Sequence, residues 1–296
     1  MPSQVVLAAP AKVNLYLAVH ERTSDGYHRL STVFQALDDR LSDVVRLSPA
    51  TGFSVSMSPD VGVPETENLA FRAAVSIARE AGVADGLEVF IEKRIPAGGG
   101  LGGASADAAA VLVGACALWG LDPSSEQVLG IARRLGADVA FFLAGGTALY
   151  GGRGDVRERD FPTPEIPLVV ATAGEPVPTG AAYALLDRMP RPPAPRPERL
   201  FEALIAKDAS GIGAALHNDL APVAKALVPS VAEVESWLAH AEGVVGASVT
   251  GSGSCVFAVC VSEAAADAAA EAARDRGWWA QACSTSPHGV RIVATE

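Results

Sequence analysis

The chain has 296 residues, 49% hydrophobic and 19% charged, which excludes a disordered segment and gives length for one large or two ordinary domains. A formal net charge of −11 excludes the basic surface needed to neutralise a nucleic-acid backbone or to sit on an anionic membrane. A small anionic ligand held by local backbone amides stays open.

Segments Gln4–Ala9 and Val44–Leu47 are β-branched, apolar and bounded by proline, serine or aspartate, which predicts short strands. Asn68–Ala81 carries helical apolar periodicity and closes at Gly82, and Leu87–Lys93 alternates Glu88 and Glu92 with Val89 and Ile91, so a helix and then a strand are predicted. A glycine run follows, and the alanine-rich Ser105–Trp119 predicts a helix with Ser105 close to its N-cap and Gly120 at its end. A second helix is predicted over Ser125–Leu135, then Gly136, Asp138, the apolar run Val139–Leu143 and a turn at Gly145-Gly146. The glycine- and charge-rich Gly151–Asp160, followed by Pro162, Pro164 and Pro167, reads as the passage to a second domain, dividing the chain into residues 1–160 and 161–296. Five prolines within Arg188–Arg199 predict an exposed extended loop. The last third predicts helix Val231–Ala241, strand Gly246–Val249, strand Cys255–Val261, helix Glu263–Arg276 and a final strand near Val290–Val293, an α+β sandwich of ferredoxin-like type.

The cysteines Cys116, Cys255, Cys260 and Cys283 show no metal or redox spacing and sit among apolar neighbours, which predicts reduced core residues. No basic leader with an apolar h-region opens the sequence, and no stretch approaches the ~20 apolar residues of a membrane span. The expectation is a cytoplasmic protein.

The chemistry concentrates in Pro96-Ala97-Gly98-Gly99-Gly100-Leu101-Gly102-Gly103-Ala104-Ser105, between a predicted strand and a predicted helix. Backbone there is free to take positive φ and approach a ligand closely, and successive N–H groups at the positive end of a helix dipole cradle phosphate. The run satisfies G-x-G-x-x-G at Gly98, Gly100 and Gly103, but no strand ending in an acidic residue follows the helix, as a dinucleotide fold requires. A Walker A motif fails at Ala104, where the lysine should stand.

On these residues the chain resembles the GHMP kinases, whose phosphate loop is similar to Pro96–Ala106. Pro10-Ala11-Lys12-Val13-Asn14, Asp25-Gly26-Tyr27-His28, Gly136-Ala137-Asp138-Val139 and Thr250-Gly251-Ser252-Gly253 extend the resemblance from Lys12 to Ser254. They point to the branch that phosphorylates a hydroxyl of a cytidine-diphosphate-linked methylerythritol in the non-mevalonate isoprenoid route. The implied architecture is a two-domain α/β kinase with ATP in the N-terminal domain. ATP is the implied phosphoryl donor, with Mg²⁺ bridging its phosphates, and the implied partner is a small molecule. The resemblance makes Asp138 the base and Lys12 its partner, as phosphoryl transfer by positioning and charge stabilisation requires. It gives Tyr27 and His28 to the cytosine, Tyr183 to the other face of the base, and Asn14 to the acceptor. Asn68 goes to the adenine, Ser105 and Asp107 to phosphate or Mg²⁺, and Gly251, Ser252 and Gly253 to the substrate's phosphates. Asn218-Asp219-Leu220 is expected to order a helix or loop. Ala140 departs from the family's usual proline. Two alternatives stay open: another GHMP kinase acting on mevalonate or homoserine, and a nucleotide-binding regulatory protein on the same scaffold.

Overall fold

The computed structural model describes residues 2–23, 26–190 and 192–296; Asp25 of the turn before Tyr27 lies outside the described residues. The first half holds strands β1 (Val5–Pro10), β2 (Lys12–Arg22), β3 (His28–Ala36), β4 (Ser42–Ala50) and β5 (Ser54–Ser58), helix α1 (Leu69–Ala81) and strand β6 (Gly86–Glu92). Helices α2 (Gly103–Trp119), α3 (Glu126–Leu135) and α4 (Val139–Ala144) and the hairpin β7 (Thr147–Gly151) and β8 (Val156–Phe161) follow. The second half runs β9 (Pro167–Thr172), α5 (Thr179–Leu186), α6 (Glu198–Ala206), α7 (Ala209–Ala214), β10 (His217–Asn218), α8 (Ala221–Leu227), α9 (Ser230–Ala239), β11 (Val244–Val249), β12 (Val256–Cys260), α10 (Glu263–Asp275), β13 (Trp279–Ser284) and β14 (Arg291–Thr295).

Among the described residues these strands form three sheets, ordered β14-β1-β4-β6-β5, β10-β2-β3-β7-β8 and β11-β12-β9-β13. Numbered within the third sheet, that last order is 2-3-1-4 with every pairing antiparallel, the ferredoxin-like topology expected. Strand β14 crosses back from the second half to pair with β1.

Helix α2 explains the position of the glycine run. It packs on β1 and β4 and against α1, α3 and α4, so alanines at Ala106, Ala108, Ala109 and Ala110 are wholly buried and the helix carries almost no polar face. A helix hydrophobic all round belongs in a core, and small residues let its neighbours approach closely. Its N-cap is Gly102, in the left-handed region at φ 77°, so Ser105 lies inside the first turn instead of near the cap. Glycine takes that conformation without strain and ends the loop earlier than the serine suggested.

The reading of Gly151–Asp160 as an interdomain passage is corrected in part. Val156–Phe161 is a strand paired with β7, and its charges are exposed along a sheet edge. Charged side chains are how edge strands resist further pairing, which makes such a strand look like a linker. The stretches over β2 and β3, which carry most of the motifs, are also strands. Lys12–Val19 is buried at every position, so it shows no period-2 alternation. All four cysteines are buried and free, and burial pushes the Cys116 and Cys260 thiols up to about 11 and Cys255 to about 12. No helix among the described residues is long and apolar enough to cross a membrane.

Candidate active site

Lys12 opens β2 and is buried, 3% exposed. Its Nζ donates to Asn14 Oδ1 at 2.8 Å and to the Gly100 carbonyl at 3.1 Å, lies 5.0 Å from the Phe34 ring centroid and forms an ion pair with Asp138 Oδ2 at 3.5 Å. Burial pushes this ammonium below the ordinary lysine value of 10.5, and the Asp138 charge opposes the shift. Asp138 stands at the N-cap position of α4 yet caps nothing with its side chain. Its carboxylate is therefore not consumed by the helix and faces Lys12. Ala140 lies in the first turn of α4, where backbone N–H groups have no partner within the helix, so proline or alanine there leaves the functional groups in place.

Asn14 ties this pair to the terminal glycine loop. Its Oδ1 also accepts from Thr250 Oγ1 at 3.2 Å and from the Gly251 amide at 3.0 Å, while Nδ2 donates to Thr32 Oγ1 at 2.8 Å. Asn218 performs the loop-ordering expected of it, donating through Nδ2 to the Val249 and Gly251 carbonyls at 2.7 and 2.9 Å. The two glycine loops touch directly: a Cβ on Gly100, at φ 80°, would lie 2.1 Å from the Thr250 carbonyl oxygen. Gly100 is thus required by contact within the chain.

Three cavities surround these groups. The first, about 310 Å³, is lined by Asn68, Leu69, Lys93, the run 96–105 and Asp107. The first-turn N–H groups of α2 border it, the arrangement that binds phosphate at a helix N-terminus. Asn68 caps α1, its Oδ1 accepting from Ala70 N at 2.9 Å. Lys93 pairs with Asp43 and, at 2.6 Å, with Asp107 Oδ2. Asp107 Oδ1 is buried without a hydrogen-bond partner, and burial pushes this carboxyl up to about 7 against the pull of Lys93. Ala106, placed with the phosphate loop by the sequence, is core and lines none of the three cavities.

The second cavity, about 330 Å³, brings together Lys12, Asn14, Asp138, Gly98, Gly100, Gly102, Tyr183, Gly251 and Ser252. Ser252 is held by Thr179 at 2.9 Å, while Gly253 packs beneath the loop against Ala224, Val249 and Val177 and lines none of the cavities. The third cavity, about 370 Å³, is lined by Tyr27, His28, Arg22, Asp187 and Tyr183. Leu30, Arg153 and Tyr183 line both the second and the third, so the two are adjoining rooms of one cleft. His28 is anchored to Asp187 Oδ1 at 2.7 Å and stacks on Tyr183 with centroids 5.2 Å apart, so the imidazole occupies one face of Tyr183. Tyr27 is 57% exposed, with the Arg153 guanidinium 4.4 Å from its ring centroid. Burial, with the Asp138 charge second, pushes the Tyr183 phenol up to about 12. Thr32, Phe34, Arg153 and Thr179 were not singled out from the sequence. Arg153 alone carried a signal, a lone charge between Gly152 and Gly154.

The site thus sets a glycine-lined helix N-terminus beside a lysine–aspartate pair, with no Walker lysine. The family model for the GHMP kinases N terminal domain matches residues 68–146, and that for the GHMP kinases C terminal matches residues 200–277. A 4-diphosphocytidyl-2-C-methyl-D-erythritol kinase of Rhodococcus jostii (strain RHA1) is 41% identical over 281 residues, 92% of this chain and 89% of the relative. A crystal structure of 4-(cytidine 5'-diphospho)-2C-methyl-D-erythritol kinase superposes with a TM-score of 0.78 at 36% identity, over 95% of this chain and 100% of that one. Homoserine kinase from Cytophaga hutchinsonii shares the fold, with a TM-score of 0.77 at 21% identity over 99% of this chain and 98% of its own. The chain belongs to the 4-diphosphocytidyl-2-C-methyl-D-erythritol kinase family, and membership of a kinase family makes ATP its phosphoryl donor.

Proposed function

We propose that this enzyme transfers the γ-phosphoryl group of ATP to the 2-hydroxyl of 4-diphosphocytidyl-2-C-methyl-D-erythritol, in the cytoplasm. The observation that carries the reading is the adjoining pair of cavities, with Lys12 and Asp138 in one and Tyr27 and His28 in the other. A substrate with a hydroxyl at one end and a base at the other spans such a cleft. Residues 1–160 would supply the ATP site and the pair, and residues 161–296 would complete the acceptor side through α5 and the loop after β11.

Asp138 orients the acceptor hydroxyl and takes its proton as the oxygen forms its bond to the γ-phosphorus and ADP departs. Lys12 holds Asp138 in place through their ion pair and stabilises charge on the transferring group. The α2 N-terminus and the 98–103 amides hold the phosphates. Mg²⁺, when bound, neutralises the phosphate charge. Among the described residues no cluster of three or more acidic, histidine or cysteine side chains forms a metal cage, and Mg²⁺ is commonly held by one or two carboxylates with substrate phosphates and water completing its shell. The unpartnered Asp107 Oδ1 is the protein oxygen that would join that shell, and Ser105 lines the same cavity.

Inhibition by nucleoside diphosphates tests the base pocket. CDP should compete with the acceptor and UDP should compete less well, because uracil reverses the donor and acceptor that distinguish the pyrimidines. Equal inhibition by both would leave a pocket that stacks a base without selecting it.

A further inference from the structure

A ring nitrogen that tells one pyrimidine from another must be a donor or an acceptor and not both. We infer that Asp187 is a positioning residue that fixes the tautomer of His28 and so sets cytosine above uracil; this rests on the cytidine-linked reading given above. His28 Nε2 lies 2.7 Å from Asp187 Oδ1. An ionised carboxylate only accepts, so Nε2 carries the proton and Nδ1 of the neutral ring keeps a lone pair. Nδ1 has no partner among the described residues yet is not sealed from solvent, and the imidazole lines the third cavity. Cytosine offers such an acceptor an amino hydrogen, whereas uracil offers a carbonyl oxygen whose lone pair faces that of Nδ1. The lock therefore works by disfavouring the wrong base instead of adding a contact to the right one.

Helix α5 supplies both constraints on the ring. Tyr183 stacks on its face, with the two planes 23° apart, and Asp187 takes its edge. The two residues stand one helical turn apart, and the Asp187 amide donates to the Tyr183 carbonyl at 3.1 Å, so face and edge are held by one rigid element. Asp187 is the C-cap of α5, where the helix dipole disfavours a negative charge. Its side chain is 39% exposed, so its pairing with His28 adds little to stability. An acid that opposes the helix and does little for the fold is accounted for by what it imposes on His28.

The test compares the unmodified protein with Asp187→Asn and Asp187→Ala. Nitrogen NMR reads the His28 ring, assigned among the five histidines with His28→Gln, and competition with the acceptor reads CDP and UDP. Asparagine keeps the size of aspartate and hydrogen-bonds Nε2 whether or not it carries the proton, so a mere anchor survives Asp187→Asn and a tautomer lock does not. Nδ1 should be unprotonated in the unmodified protein and gain proton occupancy in both variants. The preference for CDP over UDP should fall by ~10-fold or more in both, with UDP bound more tightly by Asp187→Asn, while ATP affinity by calorimetry changes less than ~2-fold. A proton on Nδ1 of the unmodified protein, or a CDP preference unchanged in Asp187→Asn, would overturn the assignment. If the unmodified protein binds CDP and UDP equally, or neither, the cytidine-linked reading itself falls, and the assignment with it.

Discussion

Replacing Lys12 by methionine separates catalysis from folding at this site. The ammonium stands 3.5 Å from Asp138 Oδ2. At an effective dielectric of ~20, two unit charges at that separation attract by about 5 kcal/mol, and exposure of the carboxylate reduces this. If about 3–4 kcal/mol of comparable stabilisation acts on the charge in transfer, its loss slows turnover ~10²- to 10³-fold. Folding responds differently. Burial already disfavours the charged lysine, so an apolar side chain of similar length relieves a cost. Two of the acceptors left behind keep partners, since Asn14 Oδ1 retains the Gly251 amide and the Thr250 hydroxyl can donate to the Gly100 carbonyl, while the Asp138 carboxylate loses its ion pair but is 29% exposed to water. The relieved burial of the ammonium and the loss of its partner by a solvated carboxylate oppose each other, so Lys12→Met should unfold within a few degrees of the unmodified protein, while kcat collapses. Steady-state kinetics beside thermal denaturation on one preparation reads both. Turnover within a few-fold of the unmodified enzyme, or a loss of activity that tracks a loss of stability, would refute the reasoning.

Asp138→Asn should lower kcat by ~10²-fold or more with the KM for ATP within a few-fold, and combined with Lys12→Met it should cost little beyond the worse single variant; additive losses would separate the two residues. Because burial places the Lys12 ammonium below 10.5, the alkaline limb of kcat should fall below that pH, where neutral lysine no longer supports Asp138; a profile flat to 10.5 would contradict the assignment. Gly100→Ala should cost both stability and ATP affinity, since its Cβ meets the Thr250 carbonyl at 2.1 Å, and calorimetry with thermal unfolding should show the two losses together. Tyr27→Ala should raise the acceptor KM roughly 5- to 150-fold and leave that for ATP unchanged, the range expected for one stacked base of ~1–3 kcal/mol.

Where the chain follows local rules, the sequence was readable. Asn68 caps α1 and Gly82 closes it in the left-handed region, so the helix emerges within a residue of its expected start. Ser125 caps α3 and accepts from Val128 N, and the charged alternation of Glu88 and Glu92 marks β6. Strand β2 hides because it is buried on both faces yet carries Lys12 and Asn14, polar residues that break the apolar run a buried strand should show. Such a conflict between levels is expected where function overrides packing. The glycine run suggested a phosphate site, but not that Gly100 is demanded by the Thr250 loop far along the chain. The meeting of Lys12 with Asp138 depends on the tertiary placement of the start of β2 and the N-cap of α4, which no local spacing encodes. The motifs reached it only through resemblance.

The central claim is that one cleft holds a cytidine at Tyr27 and His28 and a reactive hydroxyl at Asp138. The most direct measurement is kcat/KM of the purified enzyme with ATP and each of four acceptors: 4-diphosphocytidyl-2-C-methyl-D-erythritol, methylerythritol phosphate without the cytidylyl group, mevalonate and homoserine. Preference for the cytidylyl compound by ~10³-fold or more is the predicted result, since the remaining three leave the polar groups of the base pocket unpaired. Methylerythritol phosphate turned over as fast, or mevalonate or homoserine faster, would contradict it.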